Sequence, residues 1–299
     1  MFRYSRLCGT ASDAVDVVKL EIPQGFKLLK FKCQITLNII LNEPFQKFET
    51  LSLGITIMQQ NEYILNERRQ IWKSKKILKR LYHNWYRIIR RSLKPGSILE
   101  IGGGSGNLKE FFPHAISSDI LFTPWADAAL GAHQLPFKDA TLGNIILFDV
   151  LHYLIDPAHF FFEAQRTLKQ KGRIILMEPY ISWVSFLVYR FLHHEGITWN
   201  IDPFNKEYSG KDRNPLYGNQ AIPTLIFERK KHLFSRKFPR LKIIKKEKMD
   251  CMIYPLSGGF HNPCLCPLFL YNILEYLEKL FNPLNRFLAF RLFVVLEKT

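Results

Sequence analysis

The string Leu99-Glu100-Ile101-Gly102-Gly103-Gly104-Ser105-Gly106 limits the choice of fold more than any other feature of this chain. Glycine loses more backbone freedom in a regular element than any other residue, so four glycines in so short a space mark a sharp turn. The turn lies between two periodic stretches. Ser97 to Ile101 is a short apolar run with the character of a buried strand, and Ser105 to Phe112 has a helical pattern that Pro113 stops.

The same alternation continues downstream. Ala115 to Asp119 reads as a second strand and Ile145 to Asp149 as a third, both short apolar runs of the kind buried on two faces. Ala158 to Leu168 reads as a helix ended by Lys171-Gly172, and Arg173 to Met177 as another buried strand. Strands alternating with helices predict right-handed βαβ units, that is, an α/β fold with a doubly wound, mostly parallel sheet. Regularity weakens after Glu178-Pro179, and residues 180–235 are read as a cap-like insertion. Leu241 to Met249 and Phe287 to Leu296 complete the strands, and residues 262–287 are expected to form a buried helix before the last of them.

Upstream, residues 64–94 predict one amphipathic helix. Ile71, Ile77, Leu78, Leu81, Trp85, Ile88 and Ile89 share a face, lysines and arginines fill much of the rest, and Pro95-Gly96 ends it. The expected organisation is an N-terminal extension over 1–57, with a β-like run at 31–41, a basic helical segment over 58–96, and the main domain over 97–299.

The net charge of +16 favours anionic partners without naming one. Five scattered cysteines do not make a disulfide framework, and Cys264 with Cys266 is too small a set for a structural zinc site. They read as thiols of a cytoplasmic protein, one that at most touches a membrane surface. His193-His194-Glu195 is no metal site on this reading, since adjacent histidines on a helix face different ways.

The loop's spacing decides among ligands. A dinucleotide fingerprint needs its third glycine five residues after Gly102, where Asn107 stands. The pattern here is Glu-x-Gly-x-Gly-x-Gly. Glu100 would repel a pyrophosphate, but it suits a cofactor with a positive sulfonium and an amino group. Asp119, closing the next strand, is placed to accept hydrogen bonds from ribose hydroxyls.

Five segments in order resemble successive motifs of the class I, Rossmann-like methyltransferases, and in particular the type 11 small-molecule group. They are ILEIGGGSG, SSDI, Leu135 to Phe137, Phe148 to Leu154, and Leu168 to Pro179. The resemblance implies a seven-stranded sheet and S-adenosylmethionine as cofactor. By it, Glu100, Gly102, Gly103, Gly104 and Gly106 form the cofactor loop, Asp119 meets the ribose, Ala132 and His133 flank the adenine, and Asp149 to His152 line the transfer site. His152 is the candidate general base. Two departures stand out: Gly131 and Gly143 occupy positions where the family commonly has an acid.

The expected activity is methyl transfer to a small molecule, a sugar or a lipid-linked acceptor. The alternatives are a catalytically inactive scaffold, or an RNA methyltransferase suggested by charge alone and lacking any recognisable RNA-binding module. The basic helix, with Trp72, Tyr82, Trp85 and Tyr86 among its charges, and the apolar stretch 262–287 are the two candidates for contact with anionic lipid.

Overall fold

The computed structural model describes residues 63–193, 195–205 and 218–299, all within one unit, Gly54–Thr299. The expected extension 1–57 and its β-like run lie outside the described residues. Seven strands form one sheet in the order β3-β2-β1-β4-β5-β7-β6. They are β1 Ile98–Ile101, β2 Ile116–Asp119, β3 Ala128–Ala129, β4 Leu142–Phe148, β5 Leu168–Pro179, β6 Leu241–Met249 and β7 Arg291–Lys298. β7 runs antiparallel to both of its neighbours, and the other pairings are parallel. This is the mostly parallel, seven-stranded sheet expected.

The continuous apolar strands are buried on both faces, and the period of two sorts their side chains. Ile145, Leu147, Ile174, Leu176, Leu292 and Val294 enter one core cluster, while Ile146, Ile175, Met177, Phe293 and Val295 enter the other. The first cluster packs under α3 (Pro157–Thr167), which Asp156 caps by accepting the His159 N–H. It also holds Ile222, Ile226, Phe227, Phe234 and Phe238. These come from a run of short helical pieces that includes α5 (Ile222–Thr224) and α6 (Lys231–Lys237). The second half of the expected cap is therefore core. The first half supplies α4 (Trp183–Leu192).

The second cluster packs under the basic segment, which is kinked. Residues 63–74 (α1) and Lys76–Ser92 (α2) meet at Lys75, whose φ of −88° and ψ of 82° leave the helical region. Its amino group is anchored on the carbonyls of Gly259 and Asn262, at 2.7 and 2.8 Å. A single straight helix gives way to this tertiary anchor. Trp72, Tyr82, Trp85 and Tyr86 are all buried against the sheet and its neighbours, so these aromatics are not available to lipid.

Between β6 and β7 run α7 (Ile253–Ser257), α8 (Tyr271–Phe281) and α9 (Asn285–Leu288). The last strand starts at Arg291, not at Phe287, which sits in α9. The expectation that 262–287 is a buried helix fails, because α8 buries only Tyr271. The departure at Gly143 has a packing reason. A Cβ there would lie 3.1 Å from Cα of Gly96 and from the Ser97 carbonyl oxygen, so a side chain would need the two chain segments to move apart by a few tenths of an ångström.

Candidate functional site

The carboxyl ends of β1, β2 and β4 point to one edge of the sheet, where parallel α/β folds place their ligands. The glycine loop leaves β1 there. Gly102, Gly104 and Gly106 have φ of +71°, +50° and +77°. The Gly103 N–H donates to Ser118 O (2.9 Å) and the Gly104 N–H to Asp119 Oδ2 (2.8 Å). At Gly102 a Cβ would fall 2.4 Å from a methyl of Val150, so the loop is pressed onto the segment after β4.

The helix expected over Ser105 to Phe112 does not form; a 3-10 turn, Leu108–Glu110, takes its place. Three left-handed residues delay any helix until Asn107, and Pro113 ends the stretch soon after, too early for an α-helix to repay its nucleation. A macrodipole at this loop is therefore not part of the site.

Glu100 is buried, and its Oε2 accepts from the Ser117 hydroxyl at 2.5 Å. Burial raises its pKa to about 7, against the opposing Ser117 bond, and the nearby Asp119 adds to the rise. Asp119 accepts from Gly104 and Leu121 N–H groups, and burial raises its pKa as well.

At the end of β4, Asp149 takes a φ of +56° and its Oδ1 lies 2.6 Å from Nη1 of Arg291. Arg291 opens β7 and is 1% exposed, its guanidinium 4.9 Å from the Trp85 ring centre and 5.2 Å from that of Tyr254. The carboxylate outweighs the burial that would otherwise discharge it.

His152 is also buried, between two carboxylates. Nδ1 is 2.8 Å from Glu178 Oε2, and Nε2 is 3.6 Å from Glu195 Oε2. Burial pushes its pKa down, but Glu178 and Glu195 together prevail and lift it to about 9. Glu178 also accepts from the Val150 and Leu151 N–H groups. Glu195 falls to about 2 because His152 and Tyr153 outweigh its burial, and it accepts from the Tyr153 hydroxyl and the Gln220 amide. Carboxylates facing both ring nitrogens thus favour the protonated form of His152.

Asp149, His152 and Glu178 bring ligand-type atoms within 4.8 Å of one another. Those atoms are already committed to Arg291, to each other and to backbone N–H groups. The set carries no metal assignment.

One cavity of about 690 Å³ adjoins these groups, within the size range of small-molecule sites. Glu100, Gly102, Gly103, Gly104 and Asn107 line it from the loop. Asp149, His152, Tyr153 and Arg291 line it from the strand ends, and Val188, Tyr189, Tyr254, Phe260 and Phe290 give it an aromatic and aliphatic wall. Gly106, Asp119, Ala132 and His133 are not among its lining residues. Gly106 backs onto Trp125, Ala132 packs in the core, and the His133 ring accepts the Asp156 N–H at 3.2 Å.

The sequence reading missed Glu178, Glu195, Tyr254 and Arg291. Glu178 carried a signal, as an acid ending a buried strand next to the one that ends in Asp149. Arg291 had a fainter one, as a cation inside an apolar terminal run.

Sheet order, the antiparallel strand β7, and a Glu-x-Gly-x-Gly-x-Gly turn facing a cavity are the features that the resemblance to the class I S-adenosylmethionine-dependent methyltransferases implied. Residues 125–176 match the family model described as a methyltransferase domain, which is that of the type 11 group.

No curated protein matches the chain. Three solved structures are similar at low identity. An S-adenosylmethionine-dependent methyltransferase of Thermotoga maritima is 15% identical, with a TM-score of 0.45 over 80% of this chain and 98% of its own. One from Archaeoglobus fulgidus is 14% identical, with a TM-score of 0.45 over 73% and 94%. The geranyl diphosphate C-methyltransferase of Streptomyces coelicolor A3(2), in complex with Mg2+, geranyl diphosphate and S-adenosyl-L-homocysteine, is 12% identical, with a TM-score of 0.40 over 74% and 80%. Likeness at this level assigns no substrate.

The cofactor fits the residues present. Gly104 offers a surface without a side chain, where an added Cβ would meet nothing nearer than 3.9 Å, and Glu100 is among the residues lining the same cavity. S-adenosylmethionine, when bound, supplies an electrophilic methyl on a sulfonium.

Proposed function

We propose that this enzyme methylates a small molecule with an extended apolar or aromatic body. The observation that carries the reading is the single cavity joining the glycine loop and Glu100 to a wall of Val188, Tyr189, Tyr254, Phe260 and Phe290. Such a wall suits an apolar acceptor, lipid-linked ones included, better than a bare sugar. Glu100 would hold the cofactor's ammonium, with Gly102, Gly103 and Gly104 against its methionine part. Asp119, bonded to the Gly104 N–H, keeps lone pairs for the ribose hydroxyls, whereas Ala132 in the core and His133 on the Asp156 N–H stand outside the cavity lining and are given no adenine contact. The cavity wall excludes water and aligns the acceptor for in-line attack, which is most of what methyl transfer needs.

In this reading His152 is a positioning residue. A buried imidazolium cannot take a proton, whereas it can hold Glu195 and, through it, Tyr153 against the acceptor's polar group. Incubation with labelled cofactor and fractionated apolar extract should yield a labelled product. Its rate should lack a tenfold-per-unit climb toward pH 9, the signature of His152 acting as base. Absence of any labelled product from apolar fractions sinks the acceptor assignment; such a climb returns the base role to His152.

Cofactor affinity should depend on pH. With its pKa at about 7, Glu100 is neutral below and ionised above, and only the ionised form pairs with an ammonium. Calorimetry with S-adenosylhomocysteine should show affinity rising roughly tenfold from pH 6 to 8, and Glu100→Gln should abolish the rise. The sign for stability is opposite. A carboxyl whose folded pKa lies above its unfolded one keeps its proton in the native state, so the ligand-free protein loses stability as pH rises from about 4.5 through 7. Asp250, raised to about 7 by burial and by Glu278, acts in the same direction.

The described cysteines Cys251, Cys264 and Cys266 are free thiols, in keeping with the cytoplasmic setting we propose. Among the described residues no helix is long and apolar enough to cross a membrane.

A further inference from the structure

Helix α4 is inside out. Surface helices turn their apolar stripe to the core, yet Trp183 is 76% exposed, Phe191 is 75% exposed, and Leu187 and Leu192 are exposed too. The residues it buries are Ser185 and Tyr189. Ser185 completes a capping box with Ser182, and the Tyr189 hydroxyl donates to Phe290 O at 3.2 Å. Helix α8 repeats the pattern: Tyr271 is buried, while Ile273, Tyr276 and Leu280 are exposed, as is Phe269 (79%) just before it. The two are joined through α9, whose Phe287 ring lies 5.1 Å from that of Trp183.

The charges on these helices are sorted by sign. Arg190, Lys279 and Arg286 are exposed. The acids between 183 and 192 and between 265 and 288 are Glu275 and Glu278. Glu278 faces inward and accepts the Met252 and Ile253 N–H groups, and Glu275 accepts from the Asn84 amide. Both acids are half-buried, so the fully exposed charges on these helices are cations. The outward face also reaches the cavity, since the exposed Leu192 and Leu265 are among the lining residues.

We propose that α4, α8 and α9 dock the protein on a bilayer surface that carries anionic headgroups. A large exposed apolar patch marks an interaction surface. A tryptophan and phenylalanines interspersed with cations, and no fully exposed acid, match the lipid interface, where apolar side chains enter the acyl boundary and cations meet phosphates. The site of lipid contact is thus this face and not the basic helices α1 and α2, whose aromatics are buried. The inference stands apart from the choice of acceptor.

The test is sedimentation of the full chain with phosphatidylcholine vesicles, with or without phosphatidylglycerol. The parent should bind the mixed vesicles about tenfold more strongly than the neutral ones, and less strongly as salt rises. Two double variants, Trp183→Asp with Phe269→Asp and Arg190→Glu with Arg286→Glu, should each weaken binding to mixed vesicles about tenfold. None of the four residues lines the cavity, so unchanged S-adenosylhomocysteine affinity verifies folding. Failure of the parent to sediment with the mixed vesicles, or undiminished binding by the aspartate variant, overturns the proposal. So does a lipid-free dimer in light scattering that the aspartate variant dissolves, which would assign the face to a second copy of the chain.

Discussion

Replacing Gly104 by tryptophan should weaken S-adenosylhomocysteine binding by at least about 100-fold, roughly 2.7 kcal/mol, while leaving the protein folded. The two effects separate because of where a side chain at this position would go. A Cβ on Gly104 meets nothing closer than the Gly102 carbonyl and the tip of Leu65, both at 3.9 Å, so the only folding cost is the left-handed backbone at φ +50°. That costs about 1–2 kcal/mol for a residue with a Cβ. The indole would extend over the loop surface that lines the cavity. Gly102→Ala is the contrasting control. Its methyl group would meet Val150 at 2.4 Å, and such overpacking costs about 1–3 kcal/mol of stability. Calorimetry and thermal melting of both variants separate ligand exclusion from misfolding. Full affinity in a folded Gly104→Trp protein would place the cofactor elsewhere.

Removal of the Asp149 charge should be the most damaging single change to stability outside the hydrophobic clusters. Arg291 is buried with Asp149 as its carboxylate partner, and its Nε atom has no hydrogen-bond acceptor. Asp149→Asn keeps a residue that tolerates the left-handed conformation, so the charge is what changes. Leaving a buried guanidinium uncompensated costs about 3–5 kcal/mol. For a unit of this size the melting temperature should fall by roughly 6–20 °C. Adding Arg291→Met should restore much of the loss, because exchanging both members of a buried pair for uncharged groups is close to neutral. A single variant that melts with the parent, or a double variant that melts below the single one, would show that the ion pair does not hold β4 to β7.

These two sites differ in how far the sequence revealed them. The loop was legible because every determinant is local. Glu100, the glycines and Asp119 lie within twenty residues, and the strand before each acid shows in its apolar run. The fold class was legible for a related reason. Burial on both faces makes parallel strands apolar throughout, and the connecting helices show the longer period. Misreadings arose where a local pattern met a non-local constraint. The pattern over Ser105 to Phe112 reads as a helix, but three left-handed glycines and Pro113 leave it only a 3-10 turn. The basic stretch reads as one helix until Lys75 is drawn to carbonyls nearly two hundred residues away. The apolar stretch 262–287 reads as core because apolar spacing cannot say which side of a helix has a partner.

The sequence alone determined the sheet-and-helix class, the glycine turn that lines the cavity and the acid that precedes it. Each follows from backbone sterics and burial within a short window of chain. Only the tertiary structure decided that Arg291 answers Asp149, that Glu178 and Glu195 flank His152, and that α4 turns its apolar side outward. Those pairings join residues far apart in the chain, and the energy of a buried charge or an uncovered apolar face depends on what folding brings beside it.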